Sequence, residues 1–315
     1  MTYLVKQIGY VHLGVPDPAE NAADLTDIVG LRVTGTDDGT VYMSSNTRQF
    51  EMVYSRTDAP CMISMGMEAV SLEAIDEVKR RALSDGLEIV SDTPTLPGIE
   101  RAVTFVMPGG ARMEVHAPVA RSASAYHAMP GARPRRLEHV NLFVPDTAAT
   151  ADCITDILGM KLSDQTDGGA LRWFRAEDGY HHSLALGPGE GRLHHYAFDL
   201  KSQEELARLA DTLVARERTL FWGPGRHGAG GNIFTYYIDP VGCIVENSVE
   251  MDRIDHDLAY EPRIWDMSQG MGGRWINTWG TPPPENFLEP GLRFQSRSQG
   301  VGLTRTRSPG GTDRA

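Results

Sequence analysis

The chain has 315 residues, 41% of them hydrophobic and 23% charged, a balance that suits one large or two medium globular domains with a real core. A formal charge of −12 argues against nucleic acid as the main partner, and no apolar run approaches the length of a membrane span. Cys61, Cys153 and Cys243 form neither a metal-binding pair nor an even disulfide set, and the N-terminus lacks a signal-peptide pattern, so a cytoplasmic location is expected.

In chain order, residues 8–33 (IGYVHLGVPDPAENAADLTDIVGLRV) predict a strand, a helix started by Val-Pro-Asp and ended at Gly30, and a further strand. Residues 64–89 predict a strand leading into a second helix, and residues 107–115 (MPGGARMEV) a turn and a strand. The series then recurs. Residues 137–162 (LEHVNLFVPDTAATADCITDILGMKL) echo the opening segment, with Gly159 in the place of Gly30. Residues 195–220 echo 64–89, and 239–247 (DPVGCIVEN) echo 107–115. The chain is therefore a duplication with the element order β-α-β-β-β, plausible twice over in each half, which predicts an α+β fold of tandem βαβββ modules.

The expected organisation is an N-terminal domain over 1–125 and a Pro-, Gly- and Arg-rich linker over 126–136. A C-terminal domain over 137–252 and an extension over 253–295 follow, with a polar, basic and disordered tail over 296–315. The extension carries Trp265, Trp275 and Trp279 among glycines and prolines, and is expected to wrap a surface or form a lid over a pocket.

Comparing the copies isolates candidate ligands. The first strand offers His12 in one copy and His139 in the other, the middle strand Ser64 against His195, and the last strand Glu114 against Glu246. Taken singly, each is more often an ordinary polar side chain. Together, two imidazoles and one carboxylate at matched places form the facial set of a non-haem Fe(II) site, with Mn(II) as the other candidate ion. The first copy is then metal-free. In the pairs His194-His195 and His181-His182, strand alternation is expected to send one ring inward and the other out.

Glu246 closes the stretch GRHGAGGNIFTYYIDPVGCIVE, residues 225–246, read as a glycine-rich loop, a strand over 233–238, a turn over 239–242 and a return strand over 243–249. Here Gly225, His227, Tyr236, Asp239, Pro240, Gly242 and Glu246 resemble the signature of the type I extradiol ring-cleavage dioxygenases of the vicinal oxygen chelate superfamily; Thr235 departs from its apolar residue. The segment GPGRHG looks more like the homoprotocatechuate branch than the biphenyl-diol branch.

The resemblance implies two similar domains, each with a curved mixed sheet around a cavity. It implies that His139, His195 and Glu246 bind Fe(II), or Mn(II), and that a catechol and O2 are the substrates. His182 would be the acid–base residue, with His181 its rival. His227 and Tyr236 would act on the substrate oxygens, and Asn141 and Trp173 would line the pocket. Open strand edges suggest a homo-oligomer. The competing functions are a glyoxalase-type isomerase or lyase of the same superfamily and a non-catalytic small-molecule binding protein.

Overall fold

The computed structural model describes residues 2–122 and 131–296; linker residues 126–130 and tail residues 297–315 lie outside the described residues. In the first half, β1 (Val5–Val15) leads into α1 (Pro18–Asp24), then β2 (Arg32–Asp37), β3 (Thr40–Ser44) and β4 (Met52–Arg56). Next, β5 (Cys61–Ala69) leads into α2 (Leu72–Ser84), β6 (Ile89–Ser91), β7 (Ala102–Val106) and β8 (Arg112–His116). The second half repeats this with β9 (Arg136–Val144), α3 (Thr147–Asp152), β10 (Lys161–Thr166), β11 (Arg172–Arg175) and β12 (Leu184–Pro188). It continues with β13 (Arg192–Asp199), α4 (Gln203–Ala215), β14 (Trp222–Arg226), β15 (Ile233–Ile238) and β16 (Ile244–Val249). The unit βαβββ thus occurs four times.

Each half forms one mixed sheet. The first runs β2-β3-β4-β1-β5-β8-β7-β6, and the second matches it strand for strand as β10-β11-β12-β9-β13-β16-β15-β14. In each module the first strand pairs in parallel with the last, β9 with β12 and β13 with β16, and the two modules join antiparallel through β9 and β13. These central strands are buried on both faces, because α3 packs on β12 and α4 on β15 and β16 while the other face lines the site.

Local chemistry sets the helix ends. Asp17 caps α1 by accepting from the backbone N–H groups of Ala19 and Glu20, with Pro18 at the first turn, and Asp146 caps α3 through Ala149 N. After α1 and α3 the chain passes through a π turn and leaves at Gly30 (φ 89°) and Gly159 (φ 67°). At Gly159 a Cβ would also stand 2.7 Å from the Thr2 carbonyl, so conformation and space both require glycine.

The extension belongs to the second sheet. Its strands β17 (Arg263–Trp265) and β18 (Trp279–Gly280) lie along β10 and β14, the two sheet edges, and β19 (Leu292–Arg293) pairs with β13. No helix among the described residues is long and apolar enough to cross a membrane.

Candidate metal centre

Three central strands of the second sheet bring His139, His195 and Glu246 together. Ala197 of β13 is the register partner of His139 on β9 and of Glu246 on β16, so all three side chains leave one row on one face. His195 lies two residues along β13, on the same face. The small Ala197 side chain leaves the space into which the larger ones converge. Their ligand atoms all lie within 4.8 Å of one another. His139 Nε2 is 3.1 Å and His195 Nε2 3.3 Å from Glu246 Oε2.

Every remaining polar atom of the three has its own partner. His139 Nδ1 bonds to Glu138 Oε2 at 3.0 Å, and Glu138 also accepts from Ser248 Oγ at 2.6 Å. His195 Nδ1 meets His194 Nδ1 at 2.8 Å, and His194 Nε2 bonds to the Phe287 carbonyl at 2.8 Å. Asn232 Nδ2 donates to Glu246 Oε1 at 2.9 Å. Two Nε2 atoms and one carboxylate oxygen are left facing a common point. That donor set, oriented by outer partners, fits a divalent transition ion with open positions.

The electrostatics agree. Burial opposes charge on His139, but Glu246 and Glu138 outweigh it and raise its pKa to about 9. Burial also opposes charge on Glu246, and His139 with its neighbours nevertheless holds that pKa down to about 2. His195 is pushed well below its ordinary value by burial. The Glu246 carboxylate is thus held charged against an imidazolium, and a bound cation would take the place of that proton.

The cavity beside this point takes in all the other expected residues. His182, His227, Tyr236, Asn141 and Trp173 line it together with the three candidate ligands. His227 Nε2 and Tyr236 Oη are 2.8 Å apart, and the other His227 ring nitrogen bonds to the Ile276 carbonyl. Burial lowers the His227 pKa and raises that of Tyr236. Asn141 Oδ1 is buried and, among the described residues, has no donor.

Of the two histidine pairs expected to split, His181 and His182 do so: His182 lines the cavity, and His181, also buried, lies behind it. The other pair is corrected. His194 and His195 both line the cavity, because the β9–β13 register shifts between Leu193 and His195 and the bulge re-aims the strand.

The matched position in the first half is corrected too. Tyr10 faces Gly66, which also faces Glu114, so Tyr10, not His12, corresponds to His139. His12 faces Ser64, as Asn141 faces His195. The first copy therefore carries Tyr10, Ser64 and Glu114, with no imidazole among the three. Its carboxylate accepts from Thr95 N, Thr95 Oγ1 and Thr104 Oγ1 at 2.9, 2.6 and 3.0 Å.

Sequence reasoning did not single out Glu138, Asn232 or Asp164. An acid beside a candidate ligand histidine was a usable signal for Glu138; Asp164 carried none, since its partners come from residues 260–265. The extension, expected near a pocket, supplies part of its wall through Met267, Met271, Trp275, Ile276 and Phe287.

Comparison with known proteins follows the same lines. A family model described as the Glyoxalase/Bleomycin resistance protein/Dioxygenase superfamily matches residues 136–246. Metapyrocatechase 2 of Cupriavidus necator is 30% identical over 231 residues, 67% of this chain and 70% of that protein. The Mn(II)-bound glyoxalase from Novosphingobium aromaticivorans superposes with a TM-score of 0.83 at 26% identity, over 94% of this chain and 99% of the other. Homoprotocatechuate 2,3-dioxygenase from Brevibacterium fuscum, in complex with 3,4-dihydroxyphenylacetate, shares the fold with a TM-score of 0.83 at 21% identity, over 92% and 93%.

Proposed function

We propose that this chain, which belongs to the Glyoxalase/Bleomycin resistance protein/Dioxygenase superfamily, is an extradiol dioxygenase that opens the ring of an uncharged, apolar catechol. The observation that carries the reading is the convergence of His139, His195 and Glu246 at one end of a cavity that also holds His182, His227 and Tyr236. These three ligands would hold Fe(II), or Mn(II), which when bound acts as Lewis acid and template and passes electron density from the diol to O2. Both oxygen atoms enter the product, so no external reductant is consumed.

The chain's own side chains do the rest. The hydrogen-bonded pair His227–Tyr236 offers donors and acceptors to the diol oxygens and holds their charge in a buried site. His182 presents its Nε2 to the cavity, since its Nδ1 is engaged with His181, and it takes and returns a proton there. Asn141 orients the substrate and Trp173, tilted against Trp275 at 6.1 Å, forms a wall against the ring. Leu171, Leu186, Met267, Met271, Ile276 and Phe287 exclude water from the ring's far side.

That far side favours uncharged substituents. Among the described residues, no lysine or arginine lines the cavity. Arg192 touches two wall residues, over the Phe143 ring at 5.2 Å and on the Leu288 carbonyl, but is not itself a lining residue. A carboxylate buried here would lack a partner, which is costly. A homo-oligomer formed through strand edges would use β2 or β6 of the first sheet or the short β17 and β18 that end the second.

The test is anaerobic loading with Fe(II), then mixing with O2 and catechol, 3-methylcatechol or 3,4-dihydroxyphenylacetate. Ring opening consumes one O2 per substrate and gives a yellow product. Isomerisation or simple binding consumes no oxygen, and that result would reject the reading.

A further inference from the structure

The two halves differ at a shared irregularity. In each, the second strand slips register against the third, between Val33 and Gly35 on β2 and between Leu162 and Asp164 on β10. Laid over each other from Gly30 and Gly159, the two segments place Gly35 and Asp164 at the same point. A bulge re-aims the side chain beside it. β2 is an open sheet edge, and Gly35 offers no side chain to aim. β10 has β17 of the extension paired along it, and its Asp164 is fully buried. Tyr260 Oη and Arg263 N donate to Asp164 Oδ1 at 3.0 and 3.1 Å, and Trp265 Nε1 donates to Oδ2 at 2.7 Å. His181 Nε2 is a further neighbour, 3.2 Å from Oδ2. An indole has one donor, so a bond of that length at Nε1 fixes the ring's orientation as well as its place.

What Trp265 touches carries the contact further. Its ring lies over Gly228, where a Cβ would stand 3.0 Å from Trp265 Cη2 and 2.1 Å from the Arg274 carbonyl oxygen. Gly228 N and Ala229 N both donate to the Trp275 carbonyl at 3.0 Å, and the adjoining His227 Nδ1 bonds to the Ile276 carbonyl. The segment 265–276 is therefore pinned by Asp164 at one end and by the 227–229 loop at the other. Its side chains Trp265, Met267, Met271, Trp275 and Ile276 pack into one apolar cluster with Trp173, separate from the main core. All of these but Trp265 line the cavity.

We propose that Asp164 is a positioning residue that, through Trp265, seats the segment 265–276 as the cavity wall and so sets how closely the substrate's ring substituent is packed. The bulge belongs to both halves; the carboxylate stands only in the half where an extension docks. Asp164 itself does not line the cavity, and it acts through Trp265 on the wall that does. With the Trp265 bond lost, the ring is free to turn away from Gly228, and the carbonyls of Trp275 and Ile276 lose the backing that holds them against the loop. The seating of the wall stands on geometry alone; its effect on selectivity rests on the ring-cleavage reading.

The experiment compares wild type with Asp164→Asn, which turns one acceptor into a donor, and with Trp265→Phe, which keeps a ring but loses the N–H. Trp265→Phe leaves the His181 contact in place, so it separates the wall from any effect of Asp164 on that histidine. In the first arm, hydrogen exchange of the full-length chain is read by mass spectrometry on peptides spanning 226–231. The Gly228 and Ala229 amides are expected to exchange about tenfold faster in both variants, the scale of one lost hydrogen bond, with β9 and β13 unchanged. In the second arm the Fe(II)-loaded proteins turn over catechol and 3-methylcatechol. The ratio of their kcat/KM values cancels differences in iron content and folded fraction. Wild type is expected to favour the methyl compound by about fourfold, as one buried carbon does, and both variants by less than about twofold, the change falling in KM. Unchanged exchange in both variants would overturn the seating of the wall, and faster exchange with an unchanged ratio would overturn its role in selectivity. Should Asp164→Asn not fold, Trp265→Phe decides alone. Faster exchange in a chain that cleaves no catechol would reject the proposed function and leave the seating of the wall intact.

Discussion

Tyr10 stands opposite Gly66 across the first central strand pair as His139 stands opposite Ala197 across the second. Glu114 and Glu246 complete the two rows. The same backbone positions thus carry a phenol in one half and an imidazole in the other. With Ser64 in the third position, the three matched places of the first half hold no imidazole, and Thr95 and Thr104 occupy one oxygen of its carboxylate. One ion per chain is expected by elemental analysis, unchanged in Glu114→Gln and lost in His195→Ala. Two ions per chain would contradict the one-sided site.

Glu138 holds His139 from behind, and Ser248 holds Glu138. Removing such an outer partner while keeping the ligand lowers metal affinity by about 10–100-fold. Glu138→Gln is expected to do so in a competition titration with a chelator, with the circular-dichroism spectrum unchanged. An affinity within twofold of wild type would show that Glu138 serves packing alone.

His182 lines the cavity but donates none of the three converging ligand atoms. Its replacement by Ala is expected to leave iron content unchanged and to lower turnover by about two to four orders of magnitude, the usual contribution of a general acid or base. Steady-state oxygen uptake and iron analysis on the same sample check both halves of the statement.

Met271 projects from the extension into the cavity wall, at a position that is neither fully buried nor fully exposed. Lysine has a similar length and brings a positive charge, so Met271→Lys should raise kcat/KM for 3,4-dihydroxyphenylacetate relative to 3-methylcatechol by about tenfold, the equivalent of ~1.4 kcal/mol. A ratio that does not move would place the substituent elsewhere in the cavity.

Asp239, at the turn between β15 and β16, belongs to a buried cluster that joins the halves. Tyr196 Oη donates to it at 3.3 Å, and Tyr54 Oη of the first half lies 3.4 Å from Tyr196 Oη. Burial, with the Asp24 charge adding, raises the Asp239 pKa to about 7 despite the N–H groups of Cys243 and Val241. The folded chain then keeps a proton that the unfolded chain, with a carboxyl near its ordinary pKa of about 3.9, releases. The stabilisation is full below that value and is lost as pH rises toward about 7. Between pH ~5 and ~8 the melting temperature of wild type should fall relative to that of Asp239→Asn. Parallel melting curves would show that Asp239 ionises freely in the folded state.

Local signals were legible in full. Val-Pro-Asp before α1 and α3, the glycines that end them, and the recurrence of β-α-β-β-β are properties of short segments, and steric and capping chemistry act within a turn or two of chain. From Ile233 to Glu246 the hairpin was equally readable, because its tyrosine and turn residues lie on adjacent strands; Gly225 and Arg226, read as loop, belong to β14, which pairs with β15 and β18.

Other features depended on which atoms meet across strands. The bulge at His194 and the contacts that put His181 behind His182 are set by packing between segments, whereas the match of Tyr10 to His139 could be read by laying the two Val-Pro-Asp segments over each other. A period of two cannot report the bulge or those contacts, because one extra residue reverses every assignment beyond it. The contact of Asp164 with Trp265 spans 101 positions and exists only because β17 lies along β10. The sequence by itself determined the modules, their duplication and the candidate ligands. The tertiary structure decided which histidine faces the cavity and what stands behind it, since long-range strand pairing, not local preference, sets the direction of a buried side chain.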